Sequence, residues 1–344
     1  MKSAEPALSS IDVRRMLMTI DAHTHYIPQE LAAWLLDNPG RTSAEAERRD
    51  GVYWIRKDGF YFPLIPQFYD AQSRFADMDK TRIDKGVLSV SPLLFFYEAD
   101  AATCLEICRI CNDWAAGQVR KYPERYEAMA MVPMQEIDCA VNEMKRAHTE
   151  FGMNAVEIAP VINGEMLDSR RLYPFYEYCE KEGIVIYLHP AMVDRRPPYD
   201  KYHAMNLVGY VQETNWALVR MIFGGVFKAF PKLKVFTSHA GGDFPYQFGR
   251  LMHGYEVREE AKIDIDQAPS AYLGNIYFDT ITHWPAALQF LVDNFGDDHV
   301  LMGTDYPYDM ADALPVDTVE SLRITADARR RILAGNWESI GKTR

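Results

Sequence analysis

The sequence predicts an α/β protein of the (β/α)8, or TIM barrel, class, with a small hairpin inserted after its first strand. Three observations predict it. Eight short apolar, β-branched-rich runs alternate with stretches of helical apolar spacing, which implies parallel strands joined by crossover helices. Histidine or carboxylate residues terminate the first, fifth, sixth and eighth runs, and only a barrel brings those ends to one mouth. No G-x-G-x-x-G follows any run, which argues against a doubly wound open sheet.

The first run ends in Thr19-Ile20-Asp21-Ala22-His23-Thr24-His25-Tyr26, approached through Met16, Leu17 and Met18. In an extended chain residues i and i+2 point the same way, so His23 and His25 can present two imidazoles to one ion. A helix over Glu30 to Leu36 follows. Val52 to Arg56 and Phe60 to Phe62, around Lys57-Asp58-Gly59, read as a hairpin in an inserted region at residues 40–66. From Tyr69 the spacing of Phe75, Met78 and Ile83 is helical, with Gly86 expected as a left-handed C-terminal cap. Val87 to Ser91 is the second strand.

The alternation then repeats. Helix Ala101 to Lys121 leads to strand Glu127 to Val132, and helix Cys139 to Phe151 to strand Ala155 to Ala159. Helix Leu172 to Lys181, closed by Gly183, leads to strand Ile184 to Leu188 and a longer insertion through Val208. Helix Trp216 to Phe230 precedes strand Lys234 to Ser238, and a helix from Phe244 precedes strand Ile276 to Asp279. Helix Pro285 to Phe295 and strand His299 to Gly303 complete the eight, as one domain over residues 1–344.

Hydrophobic residues at 48% and charged residues at 25% are ordinary for a globular chain with a large core. A formal charge of -12 and a pI near 5.3 argue against nucleic acid or an anionic membrane as partner. Cys104, Cys108 and Cys111 fall at i, i+4 and i+7, a helix core stripe; with Cys139 and Cys179 they read as buried thiols of a reducing compartment. Residues 1–15 lack the apolar region of a signal peptide, and no stretch reaches the roughly 18 apolar residues of a membrane span. A cytoplasmic location is expected.

Glu157, His189, His239 and Asp305 join His23 and His25 as acid or imidazole residues in or ending strands. The motifs Asp21-Ala22-His23-Thr24-His25, Leu188-His189-Pro190, Met221 to Phe227, Phe230 to Val235, Ser238-His239-Ala240-Gly241-Gly242 and Gly303-Thr304-Asp305-Tyr306-Pro307 carry a resemblance. As a set, the chain resembles the amidohydrolase superfamily, in its decarboxylase branch typified by α-amino-β-carboxymuconate-ε-semialdehyde decarboxylase, through nearly the whole barrel.

The resemblance implies one divalent ion held by His23, His25, His189 and Asp305, with water in an open position and His239 as acid/base beside it. Zinc is expected, with manganese as the alternative. Three neutral imidazoles and a carboxylate leave a positive centre that lowers the pKa of bound water, and His239 and Asp305 would be the catalytic pair. Binuclear relatives carry a modified lysine on the fourth strand; here Ala155 to Ala159 has none, and Glu157 is the one alternative bridge.

Arg250 and Arg258 match family arginines after the His-x-Gly-Gly motif. The position of Arg258 implies reach across a homodimer interface into the neighbouring site. Another family arginine aligns with Pro63, and a tryptophan with Ala191, so this chain departs from the aminocarboxymuconate pattern. Aromatic residues follow the barrel strands instead, with Phe95, Phe96 and Tyr97 after the second, Trp284 beside His283 after the seventh, and Tyr306 and Tyr308 after the eighth. They suit a planar substrate. The expectation is a metal-dependent non-oxidative decarboxylase of a small aromatic or unsaturated, muconate-like carboxylate. The alternative is a hydrolase of a carbon-carbon, lactone or amide bond on the same site. A non-catalytic metal scaffold would need no acid/base at the mouth.

Overall fold

Parallel strands need covered faces, and this chain covers them with a helix after nearly every strand. The computed structural model describes residues 18–191 and 196–341. Met16, Leu17, the stretch read for a signal peptide and part of the insertion through Val208 lie outside the described residues.

Strand β1 is Ile20–Tyr26; β2 (Glu45–Arg49), β3 (Val52–Lys57) and β4 (Phe60–Pro63) form the insertion. Then come β5 (Lys85–Val90), β6 (Tyr126–Ala128), β7 (Ala130–Met131), β8 (Ala155–Ile158), the short ribbon β9 (Val161–Ile162) and β10 (Glu165–Met166), β11 (Val185–Leu188), β12 (Lys234–Thr237), β13 (Ile276–Asp279) and β14 (Val300–Leu301). The parallel strands run β1-β5-β6 and β7-β8-β11-β12-β13-β14. Both seams are bridged. β6 and β7 are one strand interrupted at Met129, whose N–H donates to Leu88 at 2.9 Å. On the other side Ala22 N–H donates to Met302 at 2.9 Å and His25 N–H to Tyr306 at 2.7 Å, which joins β1 to the end of β14. The eight expected strands are thus joined in sequence around a (β/α)8 barrel.

Residues from nearly every strand fill its interior: Ile20, Ala22, Val87, Met129, Ala155, Val185, Tyr187, Phe236 and Leu301 are buried together, with Trp337 and Ile340 of the last helix against them. A larger cluster fills the layer between strands and helices, where Cys104, Cys108 and Cys111 sit as a buried stripe of helix Ala101–Lys121. All five cysteines are free thiols. Aspartates start two of the outer helices: Asp70 accepts from Ser73 N–H at 2.8 Å and Asp100 from Thr103 N–H at 3.0 Å. Gly183 ends helix Tyr173–Glu182 with φ of 72°, as its position predicts.

Three elements differ from expectation. Helix Ala71–Lys80 stops at Thr81, and Gly86 lies inside β5. It pairs with Asp21 of β1, and a Cβ there would lie 3.4 Å from Thr24 Cγ2, so its setting is a packed strand position and not a helix cap. The helix expected over Trp216 to Phe230 is two, Val211–Phe223 and Val226–Ala229, because Gly225 turns left-handed at φ of 74°. The insertion is a three-stranded antiparallel sheet, β2-β3-β4; its extra strand, Glu45–Arg49, is a charged edge with no apolar alternation to reveal it. No helix among the described residues is long and apolar enough to cross a membrane.

Candidate metal centre

β1 carries a bulge. Its register with β5 runs from Asp21 opposite Gly86 to Thr24 opposite Leu88, so two residues, Ala22 and His23, face Val87 alone. A bulge re-aims side chains beside a site. His23 and His25 meet at its end, with ring centroids 4.9 Å apart. His189 follows β11, its ring 5.0 Å from His23 and 4.8 Å from His25. His239 follows β12, and Asp305 follows β14.

The last two sit on strained backbone. His239 and Ala240 have φ of 52° and 55°, and Asp305 has φ of 67°. Such left-handed conformations cost about 1–3 kcal/mol each and persist where surrounding contacts over-determine them. The neighbouring glycines have steric reasons: a Cβ on Gly242 would lie 2.1 Å from Val211 O, and one on Gly303 would lie 2.8 Å from His23 Cβ.

The hydrogen bonds fix what the rings offer. His23 Nδ1 lies 2.7 Å from Asp279, His25 Nδ1 is 3.2 Å from Val90 O, and His189 Nδ1 is 2.9 Å from Pro190 O. Each oxygen accepts only, so each neutral ring spends its single N–H there and turns a bare Nε2 lone pair inward. The Nε2 atoms of His23 and His25 are 3.0 Å apart, and Asp305 Oδ1 is 3.3 Å from both. His189 Nε2 and Asp305 Oδ1 are buried without a hydrogen-bond partner. Donor atoms of His23, His189, His239 and Asp305 all lie within 4.8 Å of one another. Acceptors facing acceptors repel unless a cation joins them, and imidazole with carboxylate is a divalent-ion donor set. The residues fit the group.

Electrostatics agree. Burial lowers His25 to about 4 and holds His189 well below the usual imidazole range, so both stay neutral. Burial also opposes charge on His23, but Asp279 and Asp305 outweigh it and raise His23 to about 10. A cation against Asp305 would cancel that pull and leave His23 a neutral ligand. Burial raises Asp305, yet the three imidazoles His23, His239 and His25 hold it well below the carboxylate range.

Glu157 is fully buried on β8, and burial holds its carboxyl group well above the ordinary range. It approaches His25 at 3.9 Å from the Nδ1 side, away from the nitrogen that joins the cluster.

Two cavities of about 560 and 440 Å3 open over the cluster and share Asn206, Tyr210, His239, Asp305 and Met310. His283 and Trp284 line the larger, with Tyr246 and Phe290. Tyr308 lines the smaller, bonded through its hydroxyl to Ser91, with its ring 5.4 Å from His25. The other expected residues lie elsewhere. Phe95 is buried and stacked on Tyr97 at 5.3 Å, in the wall of a separate cavity of about 210 Å3 beside Lys57 and Glu98. Arg250 and Arg258 are exposed on and after helix Phe244–Val257 and line neither cavity; Arg258 pairs with Glu260 at 3.4 Å.

Sequence reasoning missed Asp279, Asp21 and the hairpin's Phe60 and Phe62, which line the smaller cavity. Asp21 accepts from Thr304 Oγ1–H at 2.6 Å and Thr304 N–H at 3.0 Å, holding the ligand loop against β1. Burial raises Asp21 to about 7. Asp279 ends its strand as His189 follows another, and that strand-end position was the available signal.

Known proteins share this fold. The amidohydrolase family model matches residues 20–336. The chain is 31% identical to the 2-amino-3-carboxymuconate-6-semialdehyde decarboxylase of Dictyostelium discoideum, over 93% of this chain and 90% of that one. The solved 5-carboxyvanillate decarboxylase of Sphingomonas paucimobilis superposes with a TM-score of 0.79 at 24% identity, over 95% of this chain and all of that one. The dihydroxybenzoic acid decarboxylase of Polaromonas sp. JS666, solved with bound manganese and 2-nitroresorcinol, gives 0.74 at 24% identity, over 94% and 97%. By the extent of that match and of its kinship to the Dictyostelium enzyme, the chain belongs to the amidohydrolase family.

Proposed function

We propose that the protein is a metal-dependent non-oxidative decarboxylase of a small aromatic or unsaturated carboxylic acid. The observation that carries this reading is an acceptor-only cluster at the foot of an apolar, aromatic-walled cavity. His23, His25, His189 and Asp305 would hold one divalent ion, manganese in preference to zinc given the ion bound in the dihydroxybenzoic acid decarboxylase. Bound there, it would act as a Lewis acid toward the substrate's carboxylate and the oxygen beside it. Among the described residues, neither cavity lining contains lysine or arginine, so the substrate's charge is left to the cluster.

His239 has the position for the proton. His23 and His25 line neither cavity, whereas His239 lines both, and its side chain keeps 16% of its surface exposed with Nε2 3.6 Å from Asp305. In the reaction the bond to the carboxylate carbon breaks, its electron pair stays on the ring or chain carbon, and that carbon takes a proton from His239 as carbon dioxide leaves. The aromatic rings of Phe60, Phe62 and Tyr308 would hold the planar body, with His283 and Trp284 at the outer cavity.

A homodimer belongs to this proposal. Arg258 is exposed and lines neither cavity of its own chain, and the exposed Val257 that precedes it suits contact with a second copy. Mixing an Arg258→Ala chain with a metal-dead chain should restore activity in verified heterodimers, and no complementation there removes the cross-subunit role. The free thiols favour a cytoplasmic location. Carbon dioxide release across a panel of carboxylic acids, measured beside metal content, tests the reaction. An acid product without carbon dioxide would assign the hydrolase instead.

A further inference from the structure

We propose that Asp279 is a positioning residue that sets both the metal-binding form of His23 and the placement of His239. The inference rests on the metal-dependent reading above. Asp279 ends β13, is fully buried and lines neither cavity, so it touches no substrate. One carboxylate oxygen accepts from His23 Nδ1–H at 2.7 Å and from His239 N–H at 2.8 Å. The other accepts from Ala240 N–H at 2.7 Å and Ile281 N–H at 2.9 Å. Four donors converge on one side chain, and the two oxygens of a carboxylate offer the four lone-pair sites that accept them.

Two consequences follow from that geometry. With Nδ1–H held by Asp279, His23 can present only Nε2 to the cluster, and a partner oxygen fixes the ring as well as the tautomer. The same carboxylate also ties down two successive residues of left-handed backbone, His239 and Ala240. Asp279 therefore couples a residue that holds the ion to the residue that moves the proton, from outside the cavity.

Asparagine has the same shape but only one accepting oxygen, which makes Asp279→Asn diagnostic. With its oxygen toward His23 and the His239 N–H, its NH2 group confronts the N–H groups of Ala240 and Ile281, and the turn carrying His239 loses the second of its two anchors. With its oxygen toward Ala240 and Ile281, the NH2 group meets His23 Nδ1, which must then accept, and the N–H of His23 moves to the nitrogen facing the ion. The expected result is a loss of ten- to a hundredfold in Mn2+ affinity by chelator competition, a similar loss in kcat at saturating Mn2+, or both, with the folded circular dichroism spectrum retained. A purely structural role would lower the melting temperature of the metal-free protein and leave both quantities unchanged in the folded fraction; that result overturns the proposal.

A second measurement needs no variant. In zinc-loaded wild-type protein, histidine 15N NMR should place the ring proton of His23 on Nδ1 and the metal on Nε2; the reverse overturns the proposal even if Asp279→Asn fails to fold. Failure of the underlying reading looks different, because the wild-type protein would then bind no stoichiometric metal.

Discussion

The floor of the site and its walls meet at His239 but are built by different rules. On the floor, His23, His25, His189 and Asp305 are buried on or just after barrel strands, and backbone bonds across the β1–β14 seam run through His23 and His25 themselves. The walls come from insertions and connections: the β3–β4 hairpin, the π-helical turn Met205–Tyr210 and the segment around His283 and Trp284. There Trp284 is 67% and Tyr246 83% exposed, against 0% for His23. On the reading proposed above, the difference assigns the ion to the strands and the choice of substrate to the loops, as expected of a barrel whose strands position chemistry and whose loops vary.

The strongest way to break that comparison is to cut the floor. His23→Ala, His189→Ala or Asp305→Ala should reduce bound metal to well below one per chain and abolish carbon dioxide release, measured by elemental analysis beside the turnover assay. A variant that kept full metal and full activity would show that its residue is not a ligand.

His239 sits on the boundary, and its substitution asks which side it belongs to. An acid/base acts during the reaction, whereas a ligand holds the ion at all times. His239→Asn should retain the ion and the fold and lose roughly a hundred- to ten-thousandfold in kcat. Loss of the ion as well would move His239 to the floor and reopen a two-ion arrangement with Glu157.

Cutting a wall should leave the ion alone. Phe62→Ala removes a ring from the smaller cavity and should raise KM by about tenfold, the equivalent of ~1.4 kcal/mol of lost contact, at unchanged metal content. A fall in bound metal would mean that the hairpin supports the floor and that the separation is false.

The same division explains what could be read in advance. Barrel strands have a period, and a residue that ends one inherits a direction, so His23, His25, His189, His239 and Asp305 were legible, as was the eightfold alternation. Asp279 stood at an equivalent strand end but is silent until its four donors are brought together in space. The β1 bulge, the left-handed turn at His239 and the extra hairpin strand leave no periodic trace. Wall residues are placed by loop conformation, which explains why Trp284 and Tyr308 reach the cavities while Phe95, equally aromatic and equally placed after a strand, does not.

Phe95 gives the smallest and sharpest comparison. Its ring stacks on Tyr97 at an interplanar angle of 5°, and it is 3% exposed, in the wall of a cavity that has Pro92 and Leu93 in common with the smaller cavity over the cluster. Phe95→Leu keeps an apolar side chain of similar size and removes the stacking, which should cost roughly 0.5–1.5 kcal/mol of stability by denaturant unfolding. Metal content, kcat and KM should stay at wild-type values, because the lost contact belongs to core packing and lines neither substrate cavity. A KM shift comparable to that of Phe62→Ala, with little change in stability, would instead place Phe95 in the substrate wall. The boundary between packing and recognition would then lie deeper in the loop after β5.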